Sequence, residues 1–450
     1  MCPQNRGPAP LAVPSSDDLP ATADVVVVGG GIVGACTALE IARAGHTVCL
    51  LEKGIVAGEQ SSRNWGWVRQ AGRDLRELPL SSLARKRWQA LSEELGPGLG
   101  YVECGIAYAA RSPAQASRHR AWAEEAARLG ILASIIDARQ LAELAPGLAP
   151  GFPTALYLPG DGRAEPQSAA PLVAQAALRN GATVLQGCAV LQITSDARGI
   201  SGVRTERGHI ATRRVVVAGG IWSAALLRRL RVDLPQLKVL SSAYRTGTLS
   251  DEQRTAFTPC LSLGEVSLRH RQDGGLTVAS SSTAVAEIVP DSLRHFRRFL
   301  PGLRSMLPGL KLRLGAATLR ECGWLLSGAA LERSLTRHRV MDPSPDLRAL
   351  RRVGDRLAHR LPVLRDAAGV QSWGGLIDVT PDVIPVISNV EAQPGLTVGT
   401  GFSGHGFGIG PGAGRVLAEV AVGRTPSVDL SAFRLGRFTD GSRPEIQSWL

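Results

Sequence analysis

The chain has almost no lysine. Among 51 basic residues only Lys53, Lys86, Lys238 and Lys311 are lysines, and the arginines are strewn along the sequence without interleaved aromatics or Gly-Arg repeats. A net charge of +12 therefore describes a solvated arginine-rich surface rather than a nucleic-acid groove, and leaves only attraction to anionic surfaces or acidic partners. No apolar run reaches the length of a bilayer span. The opening MCPQNRGPAPLAVPSSDDLPATA lacks the apolar core of a secretion signal, and Asp17 and Asp18 interrupt it. Residues 1–22 therefore read as a disordered extension of a cytoplasmic chain. The seven cysteines, Cys2, Cys36, Cys49, Cys104, Cys188, Cys260 and Cys322, form no CxxC and no metal-ligand spacing with histidine, so no metal site is expected. Cys36, Cys49 and Cys188 sit among apolar neighbours as small core residues, and an odd, scattered count suits a reducing compartment. Internal repeats and Ser/His/Asp or Cys/His nucleophile signatures are missing too.

What is present is glycine, placed with purpose. With 450 residues, 44% apolar and 20% charged, the chain is globular and holds about three domains' worth of sequence. Asp24 to Gly54, DVVVVGGGIVGACTALEIARAGHTVCLLEKG, reads as strand, tight turn, helix, strand. Gly29 permits the turn, Gly31 lets the backbone approach a pyrophosphate, and Gly34 lets helix and strand pack closely. The helix N-terminus offers free N–H groups to phosphates, and Glu52 closes the unit where a carboxylate accepts from ribose hydroxyls.

Further along, a polar loop carries SSRNWGWVRQAG. Helices are predicted over 77–95, 112–129 and 171–178, and strands over 99–110, 155–158, 183–185, 189–193 and 202–205. Val215 to Ala218, then Gly219-Gly220 and a helix from Trp222 to Leu230, repeats the opening theme. Alternation around Asp273-Gly274 predicts a hairpin. One arginine-rich amphipathic helix carries Leu293, Phe296 and Leu300, and another carries Leu347, Leu350, Leu357 and Leu361. The densest glycine cluster, VGTGFSGHGFGIGPGAG, reads as a turn ahead of an apolar helix over 414–422.

These motifs resemble the D-amino-acid oxidase and glycine oxidase superfamily of FAD enzymes, over nearly everything after Ala23. The βαβ unit ending in Leu51-Glu52-Lys53 carries the resemblance, with Ser61-Ser62-Arg63-Asn64 and Val217-Ala218-Gly219-Gly220-Ile221-Trp222-Ser223. Trp373-Gly374-Gly375, Thr380-Pro381-Asp382 and Gly401-Phe402-Ser403-Gly404-His405-Gly406-Phe407-Gly408 complete it. The resemblance implies an α/β fold, a Rossmann-like, glutathione-reductase-type FAD-binding domain interleaved with an α+β substrate domain containing a mostly antiparallel sheet. The FAD domain is expected from residues 23–98, 155–232 and 372–440, and the substrate domain from 99–154 and 233–371.

The resemblance further implies noncovalent FAD held by Gly29, Gly31, Ile32, Val33, Gly34, Glu52, Lys53, Ser61, Ser62, Arg63, Asn64, Val190, Ala218, Gly219 and Trp222. At the other end it implies Gly404, His405, Gly406, Phe407, Gly408 and Ile409. No cysteine in the closing block and no histidine in the Ser61 loop offers a covalent link. The implied reaction is oxidation of a C–N bond in a small amine or amino acid by hydride transfer to flavin N5. The turn 408–414 would place N–H groups against charge growing on the flavin.

His405, Trp373, Tyr244 and Arg245 are the catalytic candidates. Each also has a structural reading: a backbone-bonded histidine, a core aromatic, a surface strand pair. Trp65 and Trp67 are open between core and cavity lining. One departure stands out, because Ile377 occupies the place of the family's carboxylate-binding arginine and Asp378 follows it. Either Arg63, Arg69, Arg73, Arg245 or Arg320 takes over that task, or the substrate is an amine without an α-carboxylate. The competing readings are an opine-type dehydrogenase subunit passing electrons to a partner, a flavin-binding scaffold without turnover, and a basic flavin domain acting on modified RNA.

Overall fold

The computed structural model describes residues 6–280, 284–306, 309–442 and 445–447. Cys2 and the first five residues of the extension lie outside them. Val25–Val28 forms the buried strand that the apolar run predicts, and its side chains alternate between two cores. Val25 and Val27 face the opening helix Ile32–Arg43, the helix Pro166–Arg179 and the closing helix Gly406–Ala421. Val26 and Val28 face a three-stranded antiparallel layer (Val190–Asp196, Gly199–Thr205, His209–Ala211) and the helix Ser223–Arg228.

Six strands make this central sheet. In spatial order they are Val386–Asn389, Leu396–Thr400, Val215–Val217, Val25–Val28, Val48–Leu51 and Thr183–Leu185. All neighbours run parallel except the Val386–Asn389 edge. Apolar strands with helices on one face and sheet on the other bury both sides, which is why each strand is a continuous apolar run.

A ten-stranded, mostly antiparallel sheet stands beside it. Its backbone is the pair Leu237–Thr246 and Gly369–Val379, in register over Leu237↔Val379 to Arg245↔Gln371. The hairpin Val266–His270 and Leu276–Ser280 turns at Asp273-Gly274, as predicted, with Gly274 at φ +82°. Helix Leu347–Arg360 buries Leu350 and Leu357 against this sheet.

Several expectations change. Strand Thr154–Leu158 pairs with Ile106–Ala110 and Ser134–Asp137 in the large sheet, and Gly369–Val379 pairs there with Leu237–Thr246. Residues 155–158 and 372–379 thus belong to the second sheet, although the sequence reading gave them to the FAD unit. A short apolar strand reads alike in either sheet, and only pairing tells them apart. Residues 6–22 are tied down rather than loose. Leu11 N–H donates to the Gln167 carbonyl and Ser16 N–H to the Val184 carbonyl, each at 2.7 Å, and Val13 is buried. A Pro-rich segment reads as disorder when its backbone partners are far away in sequence. Leu293, Phe296 and Leu300 face outward, and Phe299 is the residue that packs inward, on Val239 and Val379.

The closing helix is the largest revision. It starts at Gly406, not 414, so the glycines from Gly406 to Gly414 are helix rather than turn, while Gly401 and Gly404 make the turn ahead of it. A Cβ on Gly410 would stand 2.9 Å from Ile32, one on Gly412 2.9 Å from the Ala84 N and Leu80 O backbone atoms, and one on Gly414 2.4 Å from Cys36. Missing side chains there let the closing helix press against the opening helix and against helix Leu78–Leu95.

Candidate active site

One cavity runs from the opening glycines to the closing ones. At the first end the chain leaves its strand at Gly29, with φ +110° and a Cβ position 2.4 Å from the Ala218 carbonyl oxygen. No other residue fits that turn. Gly34 is excluded from bearing a side chain by the Gly29 carbonyl oxygen, 1.9 Å from its Cβ position. Gly29, Gly31, Ile32 and Val33 line the cavity, and Gly31 caps the helix without a side-chain hydrogen bond. Of the first-turn N–H groups, that of Ile32 donates to Ser61 Oγ at 2.9 Å.

Glu52 sits at the floor of this end. Its carboxylate accepts from Gly30 N–H at 2.8 Å and Gly54 N–H at 2.7 Å. Burial pushes its pKa up, against the opposing pull of Lys53 and those two N–H groups. Lys53 lines the wall, and its ammonium is held by Glu59 at 2.6 Å and by the carbonyls of His338 and Arg339, above the Trp222 ring. Asn64, Val190, Ala218, Gly219 and Trp222 also line the cavity. Ser62 does not; it is buried, with Oγ on the Glu59 carbonyl. Arg63 reaches the cavity, but its guanidinium binds the Gly58 carbonyl and Asp342.

At the far end Gly404, His405, Gly406, Phe407 and Gly408 line the same cavity, and Ile409 turns into the core. His405 is the residue before the closing helix, so a second helix N-terminus points into the site. Ile377 lies beside Gly404, 3.7 Å from its Cβ position. Asp378 is a buried knot: it accepts from Gln60, Gln236, Thr400 and Gly401 N–H at 2.7–3.2 Å. Burial raises its pKa.

Three of the catalytic candidates stand off the cavity. Tyr244 packs under helix Leu347–Arg360. Arg245 lies 3.5 Å from Asp273 on the hairpin. Trp373 is fully buried and donates its indole N–H to the Arg63 carbonyl at 2.9 Å, so it supports the wall rather than lining it. The neighbours Ser241, Ser242 and Ala243 take the lining positions that the sequence reading sought at Tyr244 and Arg245. Trp65 and Trp67 do line the cavity, edge to face at 5.9 Å, and Trp67 meets Tyr108 the same way.

The sequence reading missed Glu77. This carboxylate is 1% exposed, with Oε2 3.3 Å from His405 Nδ1 and Oε1 3.8 Å from Arg73 Nη1. Arg73, also 1% exposed, donates to the carbonyls of Arg69 (2.9 Å) and His405 (3.4 Å). Burial, with help from Arg73, holds the His405 pKa down at about 4, and burial lowers Arg73 to about 10. Glu77 resists its own burial through His405 and Arg73, which keep it ionised. Arg69, Arg73 and Glu77 are four residues apart but lie on a loop and a short 3₁₀ turn, Leu75–Glu77, so helical periodicity carried no signal.

The cavity fits an extended dinucleotide. Two helix N-termini lie at the cavity, Gly29 and Gly31 strip side chains from the approach, and Glu52 lies where a carboxylate accepts from hydroxyls. Comparison with known proteins agrees. A family model described as FAD dependent oxidoreductase (DAO) matches residues 24–420. The glycine oxidase of Geobacillus kaustophilus is 27% identical over 92% of this chain and 97% of its own length. Human mitochondrial sarcosine dehydrogenase is 23% identical over 97% of this chain, which spans only 43% of that protein. The structure of L-amino acid deaminase from Proteus myxofaciens in complex with anthranilate superposes with a TM-score of 0.91 at 28% identity, covering 98% of this chain and 100% of that one.

Proposed function

The chain belongs to the DAO family of FAD-dependent oxidoreductases, and on that premise we propose that it oxidises the C–N bond of an amino acid whose carboxylate is gripped by Arg69. Bound FAD supplies the hydride acceptor. Residues at the opening end would hold its pyrophosphate and ribose, and those around His405 its ring. The chain's own task is to fix the substrate and keep water from the reacting carbon.

The observation that carries the reading is the pairing of cavity arginines. Arg63 is matched by Asp342 and Arg73 by Glu77. Arg69 lines the cavity with its guanidinium on the Ala71 carbonyl and over the Tyr108 ring, and no carboxylate among the described residues lies within ion-pair distance of it. A cavity cation with donors to spare is what a substrate carboxylate requires. Arg245 and Arg320 are not placed for it, the one beside Asp273 and the other over Trp324. The relative named for glycine, and the L-amino acid deaminase structure that holds anthranilate, both concern molecules with a carboxylate near a nitrogen. Trp65 and Trp67 would form an apolar wall for the rest of the substrate.

The test is Arg69→Met against a matched pair of substrates, an amino acid and its decarboxylated amine. Loss of the grip raises KM for the amino acid by about 100-fold and leaves the amine and FAD loading unchanged. Equal losses for both substrates contradict the assignment.

A further inference from the structure

Glu77 is buried beside the cavity and explained by nothing in the cofactor-binding frame. A buried carboxylate with no solvent needs charged or donor groups close by. Its two oxygens face two different residues, Oε1 the Arg73 guanidinium and Oε2 the His405 ring. Arg73 is itself fixed: it donates to the Arg69 carbonyl, and its own carbonyl accepts from Trp122 Nε1 at 2.8 Å. Because Arg73 also reaches the His405 carbonyl, the pair holds that residue at both backbone and ring.

We propose that Glu77 is a positioning residue: it captures the Nδ1–H of His405 and thereby leaves Nε2 a bare acceptor on the cavity wall, where it takes a hydrogen bond from the substrate's amine N–H. A carboxylate only accepts, so the nitrogen facing it carries the hydrogen. His405 Nδ1 is buried and makes no hydrogen bond to any other described group, Glu77 Oε2 stands 3.3 Å from it, and His405 lines the cavity with 18% of its side chain exposed. Neutral imidazole carries one hydrogen, so Nε2 has none. The charged groups facing the ring are Glu77, Arg73 and Arg69. With its pKa near 4 the ring stays neutral at pH 7 and serves as an acceptor of a hydrogen bond rather than of a proton. The amine donor rests on the function proposed above; the tautomer does not.

The test is a spectrum of the FAD-loaded enzyme with 15N-labelled histidine, with the His405 signals assigned by their absence in His405→Gln. The wild type should show His405 as the Nδ1–H tautomer at pH 7. In Glu77→Gln the one remaining acceptor oxygen goes to Arg73, which can only donate. The amide NH₂ then faces Nδ1, and the ring hydrogen moves to Nε2. That variant should keep FAD and its fold, invert the tautomer, and raise KM for the amine substrate about tenfold with a smaller change in kcat. An Nε2–H or doubly protonated His405 in the wild type overturns the proposal, as does an unchanged tautomer in Glu77→Gln. If the variant does not fold, the wild-type spectrum still decides. If the tautomer is as stated but no amine reduces the flavin, the fault lies in the proposed function and not here.

Discussion

Trp88 donates its indole N–H to the Gly408 carbonyl across 2.8 Å, and this bond ties helix Leu78–Leu95 to the first turn of the closing helix. Trp88 is fully buried and its ring meets Phe407 at 5.2 Å. The far wall of the cavity therefore depends on a residue outside it. Trp88→Phe removes a buried donor and some volume. A loss of about 2–3 kcal/mol is expected in urea unfolding, with faster FAD release. Unchanged stability and FAD release would mean that the bond does not hold this wall.

The glycines of the closing helix make a sharper prediction. Gly412→Ala pushes a Cβ to 2.9 Å from backbone atoms of Leu80 and Ala84. Backbone cannot turn aside, so helix spacing must widen, at about 1–3 kcal/mol. Gly45→Ala is the control: φ is +83° but nothing stands within 4 Å. It should cost about 1 kcal/mol and leave FAD affinity alone. Calorimetric titration of FAD into each apoprotein separates them, with weaker binding expected for Gly412→Ala only.

Two buried groups give opposite pH slopes. Asp161 accepts from Gln70 and Ala71 N–H, and burial pushes its pKa up to about 6 from an ordinary 3.8. Between those values the folded state binds the extra proton, so this contribution to stability is full below the lower one and falls as pH rises to about 6. His405, held down at about 4 from 6.5 by burial, works the other way. The unfolded state binds the extra proton in that window, so stability present above 6.5 is lost as pH falls to 4. Each effect spans about 3 kcal/mol, and in the wild type they largely cancel. Urea unfolding of the apoprotein across pH 4–6.5 should show the advantage of wild type over His405→Asn growing with pH. Asp161→Asn should show the reverse slope. Parallel curves would contradict both assignments.

The frame of the site was legible because glycine positions have few explanations. Gly29, Gly31 and Gly34 announce a turn and a helix start, and Glu52 the strand end after it. The fold places Gly29, Gly31 and Glu52, and the distant Gly404–Gly408, around one cavity, with Gly34 packed behind it against Gly29. Phase was not legible. On the strand Leu237–Thr246 the step from Ala243 to Tyr244 passes from cavity to core, and nothing local says which residue faces inward. Gly406–Gly414 reads as a turn because glycine disfavours isolated helices, whereas here close packing with the opening helix outweighs that preference. Glu77 was invisible because its partners, Arg73 and His405, meet only when two segments far apart in sequence are brought together.

The central claim is that amino-acid C–N oxidation occurs in the cavity between the two helix N-termini. The most direct measurement is the visible flavin band of the FAD-loaded protein under anaerobic conditions, after addition of amino acids and their decarboxylated amines. Bleaching by at least one amino acid, with release of the corresponding keto acid or aldehyde and of ammonia or an amine, is the predicted result. A band that dithionite bleaches and no amino acid or amine does would contradict the account.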